Sequence, residues 1–393
     1  MTTPDAAPES PGNPALVDLL AATIRREGPI PFARFMDTAL YHEDLGYYRS
    51  PTRRPGRGGD FITAPELHPF FGFTLAHQIA DAWERLGKPD HLVVREHGAN
   101  IGGLAYDIIA ALSEHAPRVR EALDYRLVDV NPHRAAEALS AMAEVGLDTV
   151  VRAEDPAALA PEAGVVLANE VADALPVHRL TVRDGQLRER WVTLDAGRFA
   201  EQEADLSPEI DLLDLPAYFA DAGVDLAAMP DGAILEVSPA AAGWIRALAA
   251  SLTRGFAFII DYGYDAPTLY RDHRLAGTLR GYSEHTVTDD PFIRVGEQDL
   301  TAHVDFTWLA RAARDAGMTE IGLTTQSEFL TQLGMGDLLM SLQTQPDVTL
   351  EEYYRAQAAV YRLIDPAGLG RFRVLGLARD MGDHPHALGF TPI

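Results

Sequence analysis

The chain has 393 residues, no cysteine, a formal charge of −25 and a hydrophobic fraction of 47%. That apolar fraction excludes a disordered chain, and the length fits two domains or one domain with insertions. Absent cysteine excludes disulfides, a thiolate nucleophile, an iron–sulfur cluster and cysteine-based zinc sites. The acidic excess argues against nucleic-acid and anionic-membrane partners, which need clustered Lys and Arg.

The N-terminus, MTTPDAAPESPGNP, has neither the basic start nor the apolar run of a signal peptide. Residues 1–13 read as a disordered tail, no run is long enough to span a membrane, and a cytoplasmic protein is expected. Apolar spacing predicts helices over Ala15–Glu27, stopped by Gly28-Pro29, and over Phe32–Tyr41. The stretch RSPTRRPGRGGD (49–60) reads as a loop, either a mobile surface segment or a lid. Glu66–Leu86 reads as one long amphipathic helix.

From His91 the pattern changes to short apolar strands alternating with helices. The strands are HLVVREHG, YRLVDV (125–130), TVVRAE (149–154) and GVVLANE (164–170), with helices over Ile101–Glu114 and from Pro132. Pro suits the first position of a helix. Such alternation predicts βαβ units and a mostly parallel sheet with helices on both faces. ILEVSP (234–239), a helix near 240–252 and GFAFIIDYGY (255–264) read as its continuation. Residues 177–232 interrupt it with a hairpin turning at Asp184-Gly185 and an acidic helical stretch. Residues 306–376 read as helices ending in a strand-like RFRVLGLA. The expected organisation is a helical extension over 14–90, then a sheet domain over 91–393 with an inserted α/β subdomain at about 177–232.

The first strand runs into Glu96-His97-Gly98-Ala99-Asn100-Ile101-Gly102-Gly103 and then a helix. Strand, glycine turn and helix set backbone N–H groups against a ligand, and glycine admits close approach. Asp129, at the end of the next strand, can accept both ribose hydroxyls of a nucleoside. The pattern GxxxxGK[ST] is absent, which excludes a P-loop NTPase, and GANIGG is not GxGxxG, which disfavours NAD and FAD. An adenosyl sulfonium ligand has no pyrophosphate, and its cationic sulfur suits an acidic site.

The chain resembles the MidA family of class I S-adenosylmethionine-dependent methyltransferases, which includes the mitochondrial complex I assembly protein arginine methyltransferase. The resemblance runs from about residue 28 to 380. It is carried by IPFARFMDTALYHEDLGYYRS (30–50), GDFITAPELHPFFG (59–72), GANIGGLAYDI (98–108), LANEVADALPVHRL (167–180), IIDYGY (259–264) and GTLRGYSEHTVTDDPFIRVGEQDLTAHVDF (277–306). It implies a Rossmann-like seven-stranded sheet, S-adenosyl-L-methionine as cofactor, and an arginine-bearing protein as methyl acceptor. The family's turn reads close to ELGPGRGTL. Here Asn100 replaces its middle glycine, a substitution that tolerance of left-handed backbone angles permits.

The resemblance also places GDFITAPE over the cofactor, although Thr63-x-x-Glu66 alone reads equally as a capping box. The candidate cofactor residues are Asp60, Thr63, Glu66, Glu96, Gly98, Asn100, Gly102, Asp129 and Asn169. Glu170 and Asp173 follow the fourth strand. On a helical turn they would share a face and grip one guanidinium; otherwise they are acids at a helix start. Asp261 ends a buried strand at the same edge, and completes the candidate catalytic set. The histidines show no HxxxH or HExxH spacing, so no metal site is expected. No GxSxG elbow is present. A small-molecule acceptor, or a non-catalytic scaffold with a degenerate turn, are the competing readings, and the sequence admits a homodimer.

Overall fold

The computed structural model describes residues 12–50, 63–271 and 274–391. The chain divides into two compact units, one drawn from 1–61, 172–241 and 264–307, the other from 62–171, 242–263 and 308–393.

The second unit holds a seven-stranded sheet: β1 (Leu92–His97), β2 (Leu123–Val128), β3 (Val151–Glu154), β4 (Glu162–Asn169), β5 (Leu252–Asp261), β6 (Thr319–Thr325) and β7 (Arg373–Arg379). Their spatial order is β3-β2-β1-β4-β5-β7-β6. The first five pair in parallel, and β7 runs antiparallel to both neighbours. The mostly parallel seven-stranded sheet expected from the sequence is therefore present. Strand order reverses between β1 and β4, the place where open α/β sheets bind ligands.

Alternation along β1 sorts its two faces. Leu92 and Val94 join Phe71, Leu75 and Ile79 of helix α1 (Phe70–Arg85) and Leu104 and Ile108 of helix α2 (Gly103–His115) in one core. Arg95 and His97 lie on the opposite face, where Trp244 meets the His97 ring. Helices thus cover both faces. The backbones of β1 and β4 are so close that a Cβ at Gly164 would lie 2.1 Å from the Val93 carbonyl oxygen; only glycine fits there.

Arg95 is 1% exposed. Its guanidinium donates to both Glu154 carboxylate oxygens, at 2.6 and 3.1 Å, and to the carbonyls of Ser251 and Ala160. Arg126 joins Glu154, Asp124 and Glu162. This network ties β1, β2, β3 and the start of β4 together.

The first unit carries the expected hairpin. His178–Arg183 and Gln186–Asp195 pair antiparallel around Asp184-Gly185, whose φ angles are +48° and +71°, the left-handed pair a tight two-residue turn needs. Helices Pro14–Glu27 and Phe32–Tyr41 form as expected and contribute Leu16, Leu20, Phe32 and Phe35 to its core.

Several expectations are corrected. Gly12 and Asn13 belong to the fold rather than to a tail: Asn13 N–H donates to Val295, and its side chain caps the first helix. The long helix over Glu66–Leu86 is two helices, Ala64–Leu67 and α1, parted at His68-Pro69, because proline disfavours helical geometry in the residue before it. Ile234–Val237 does not continue the parallel sheet. It pairs antiparallel with His178–Arg183 in the first unit. β6 was expected as helix; it is a half-exposed edge strand. The extension expected over 14–90 divides between the units, with α1 packed on α2.

Replacing Arg95 with alanine would leave Glu154 with Arg126 as its remaining ion-pair partner and take the donor from the Ser251 and Ala160 carbonyls. Urea denaturation is expected to show a loss of about 3–5 kcal/mol, the cost of breaking a buried ion pair from one side. A loss under about 1 kcal/mol would place the network among idle surface pairs.

Candidate cofactor and acceptor site

The site begins with strand register. Val128 pairs with His97, His97 with Ala168, and Asn169 with Ile260. Four strands therefore end at one level, and Gly98, Asp129, Glu170 and Asp261 all fall at that edge.

Gly98 has φ +70°, its N–H donates to Val128 at 2.8 Å, and a Cβ on it would lie 2.8 Å from Val171 Cγ2. Gly102, φ +79°, closes the turn onto Ala99 and is the N-cap of α2. A Cβ at Gly103 would meet nothing within 4 Å. Asn100 sits at φ +48°. The substitution in the turn therefore keeps the left-handed backbone that a glycine would supply.

Asp129 does more than offer a carboxylate to a ribose. Its Oδ2 accepts from Asn100 N–H at 2.9 Å and its Oδ1 from Asn131 N–H at 2.8 Å. The acid fixes the glycine turn from the neighbouring strand. A carboxylate offers about four acceptor positions, enough for these bonds and for ribose hydroxyls.

At the end of β4, Asn169 Nδ2 donates to Glu170 Oε1 at 3.0 Å, and Ala64 N–H donates to the same oxygen at 3.3 Å. Asn169 Oδ1 is buried with no partner among the described residues. Glu170 has φ +53°, and its N–H donates to Ile260 at 2.8 Å. Bends and turns, not a helix, occupy 170–177. The expected shared helical face of Glu170 and Asp173 is therefore absent, because the left-handed residue stops helical propagation at its first step.

Asp261 is fully buried. Its Oδ2 accepts from Val171 N–H at 3.2 Å and its Oδ1 from Tyr262 N–H at 2.8 Å. This acid holds the Glu170–Val171 turn instead of lining open space. Asp173 belongs to the first unit, 6% exposed, its carbonyl accepting from Ala302 N–H at 2.9 Å. Nearby, Tyr41 and Tyr48 stack at 5.5 Å, Tyr41 donates to the Ala174 carbonyl, and Tyr48 donates to Asp299 at 2.7 Å. Burial, then Asp299, Tyr41 and Asp173, push the Tyr48 phenol well up, so it stays a donor.

Glu96 accepts the Tyr125 hydroxyl at 2.7 Å. Burial raises its carboxyl to about 8, against the lowering effect of that bond and with help from the Asp129 and Asp107 charges. At neutral pH it is protonated. Burial, then the Arg95 charge, push His97 down to about 4. Trp244 Nε1 sits 3.2 Å from His97 Nδ1; indole only donates, so the imidazole proton resides on Nε2.

Thr63 N–H donates to Glu66 at 3.2 Å in a capping box, the alternative the spacing offered. Asp60 and the rest of the 51–60 loop lie outside the described residues. Sequence reading missed Tyr125, Trp244 and the Ala64 backbone N–H as partners of the site, since none carries a charge. No group of metal ligands occurs among the described residues.

Residues 74–324 match a family described as "Putative S-adenosyl-L-methionine-dependent methyltransferase". A crystal structure from Burkholderia thailandensis, bound to S-adenosyl-homocysteine, is 33% identical with a TM-score of 0.85, covering 96% of this chain and 94% of that one. The chain belongs to this methyltransferase family. Its fold is the class I methyltransferase fold, and its methyl donor is S-adenosyl-L-methionine. Curated relatives include the mitochondrial protein arginine methyltransferase NDUFAF7 of Danio rerio, 29% identical over 93% of this chain and 88% of that protein. The Xenopus tropicalis protein of that name is 29% identical over 86% and 80%. These relatives are named as mitochondrial, which overturns the cytoplasmic expectation. No helix among the described residues of the methyltransferase is long and apolar enough to cross a membrane.

The residues fit the cofactor. The positive φ at Gly98 keeps the turn backbone bare of a Cβ, Gly103 opens to space, Asp129 stands at the end of β2, and Asn169 Oδ1 is a buried acceptor with no partner among the described residues. Gly98→Ala is expected to weaken S-adenosylhomocysteine binding about 10-fold or more in calorimetry, a loss of about 1.4 kcal/mol. Asn100→Gly is expected to stay within about threefold, because the backbone conformation is already the one glycine favours.

The Glu96 shift has a stability consequence. Its folded value lies above its unfolded one, so the folded state holds a proton that the unfolded chain releases between about 4.5 and 8. Stability therefore falls as pH rises through that window. Glu96→Gln, which keeps an acceptor for Tyr125, is expected to flatten the decline in melting temperature between pH 5 and pH 8. An unchanged slope would contradict the buried, protonated carboxyl.

Proposed function

We propose that the methyltransferase acts on arginine side chains of proteins, with Glu170 as the acid that orients the guanidinium. The observation that carries this reading is the level end of β1 and β4. It brings a carboxylate in a constrained left-handed turn to the same edge as the glycine turn. The name of the curated relatives supports the acceptor class.

When bound, S-adenosyl-L-methionine supplies an electrophilic methyl group on a cationic sulfur. Gly98, Asn100 and Gly102 would receive its amino-acid portion along the turn, with Glu96 beneath them. Asp129 would accept the ribose hydroxyls, and Asn169 Oδ1 a donor of the ligand. Thr63 and Glu66 would act indirectly, by capping the start of the helix whose Ala64 N–H reaches Glu170; Asp60 is proposed as a further cofactor residue on the family resemblance alone. Glu170 would accept guanidinium N–H bonds, and a charge-assisted pair of this kind fixes both distance and plane. Alignment of nucleophile and methyl group is the main demand of such a transfer. Asp261 would be a positioning residue that holds the Glu170 turn.

The test is transfer of labelled methyl groups into protein, followed by acid hydrolysis and amino-acid analysis. Label in methylarginine is expected; label confined to small molecules or to lysine would overturn the acceptor assignment. Glu170→Gln is expected to lower the transfer rate about 10²-fold or more, the usual scale for a positioned catalytic carboxyl, with S-adenosylhomocysteine affinity within about threefold.

A further inference from the structure

A cavity of about 620 Å³ opens in the second unit, away from the glycine turn. Phe70, Phe73 and His77 of α1 line one wall, at positions i, i+3 and i+7 of one helical face. Leu338, Ser341 and Leu342 of the helix Met335–Leu342 line the other. Glu114 and His115 close the end at the C-terminus of α2. His115 is separated from Gly103 by the length of that helix, about 18 Å of rise, so the cavity is distinct from the cofactor edge.

Its chemistry is one-sided. The apolar walls carry two acids, Glu114 and Asp337, with two histidines, His77 and His115, the latter 3.8 Å from the Glu114 carboxylate, and no lysine or arginine among the described lining residues. His77 Nδ1 lies 2.7 Å from the Leu333 carbonyl. A carbonyl only accepts, so that nitrogen carries the proton, and His77 Nε2 is an acceptor while the ring is neutral. The Ser341 hydroxyl donates to Leu338 within its own helix. A ligand here meets carboxylates and an imidazole acceptor above an apolar floor, and must supply cationic donors on an apolar body. The neighbouring helix Leu350–Ile364 packs on Met335–Leu342 and leaves Leu350, Tyr354 and Tyr361 exposed, at 74, 60 and 61%. Glu351 and Glu352 flank them. Arg355 pairs with Glu351 at 2.9 Å and Arg362 follows Tyr361, so this helix adds exposed aromatic surface beside the cavity and no net acidity of its own.

We propose that this cavity docks a basic, apolar-flanked segment of the protein acceptor, at a distance from the residue that is methylated. The proposal rests on the reading of the acceptor as an arginine-bearing protein, and its test does not depend on turnover. Fluorescence anisotropy with the whole protein would use a fluorescein-labelled 14-residue peptide carrying three arginines and two leucines, with no cofactor added. The peptide is expected to bind the wild type with salt-sensitive affinity. The double variant Glu114→Gln, Asp337→Asn is expected to bind about fivefold or more weakly, as for two solvent-accessible charge pairs. Both sites are on the surface, and an unchanged melting temperature would show the variant folded. A peptide with glutamine in place of arginine is expected to lose the same binding. In transfer assays on a protein acceptor the double variant should raise KM and leave kcat and S-adenosylhomocysteine affinity unchanged.

Equal peptide affinity for variant and wild type, or equal binding of the glutamine peptide, would overturn the proposal. So would a self-association that the double variant abolishes in light scattering, since the occupant would then be a second copy of the chain. Absence of methylarginine with peptide binding intact would instead count against the acceptor assignment at Glu170 and leave the docking result standing.

Discussion

The candidate site depends on one constraint, the parallel register of β2, β1, β4 and β5. Because Val128, His97, Ala168 and Ile259 are matched across adjacent strands, each chain leaves the sheet at nearly the same height. The residues that follow are the glycine turn, the acid of β2, the Asn169-Glu170 pair and Asp261. A slip of one residue in any strand would move its side chains to the opposite face and displace its exit. Gly164 guards this register, since only a residue without a Cβ lets β4 approach β1 so closely.

Carboxylates at this edge are used twice over. Asp129, Glu170 and Asp261 each accept a backbone N–H from another segment: the glycine turn, the start of the Ala64 helix and the Val171 turn. Such bonds satisfy donors that have no ladder or helix partner, and they fix the acids before any ligand arrives. Preorganisation of this kind spares reorganisation during reaction. Glu96 is the exception. Held protonated by burial, it adds no negative charge beneath the turn at neutral pH. The overall charge of −25 therefore says little about the site itself; what matters is which few acids remain ionised there.

Much of this was legible in the sequence, for identifiable reasons. The strands β1 to β5 are short, apolar and bounded by turn residues, and their alternation with helices specifies a parallel sheet. Asp129 could be assigned from its place at a strand end, but not its grip on Asn100, which is a contact across the sheet. Ile234–Val237 has the same apolar run as a buried parallel strand, and four residues do not specify a partner. β6 was hidden by its Thr-rich, half-exposed sequence. The i, i+3 spacing of Glu170 and Asp173 looks helical, yet spacing carries no backbone angle, and the left-handed conformation at Glu170 is imposed by the bonds to Ile260 and Asp261. Pro69, by contrast, was visible all along as a break in the long helix.

The division of labour along β1 follows from the chain's choice of cation. Lys88 is the only lysine, and it lies on the surface beside Glu84. The buried cations are arginines, and Arg95 spans Glu154 with two bonds as a lysine could not. That bidentate pair, with Arg126, locks the strands β1 to β3 to each other and to the first residue of β4. The upper end of β1, two residues further on, is then free to be glycine-rich. Positive φ angles at Gly98, Asn100 and Gly102 weaken the local chain, and the rigid ion-paired strand beneath them restores the precision that a methyl transfer requires.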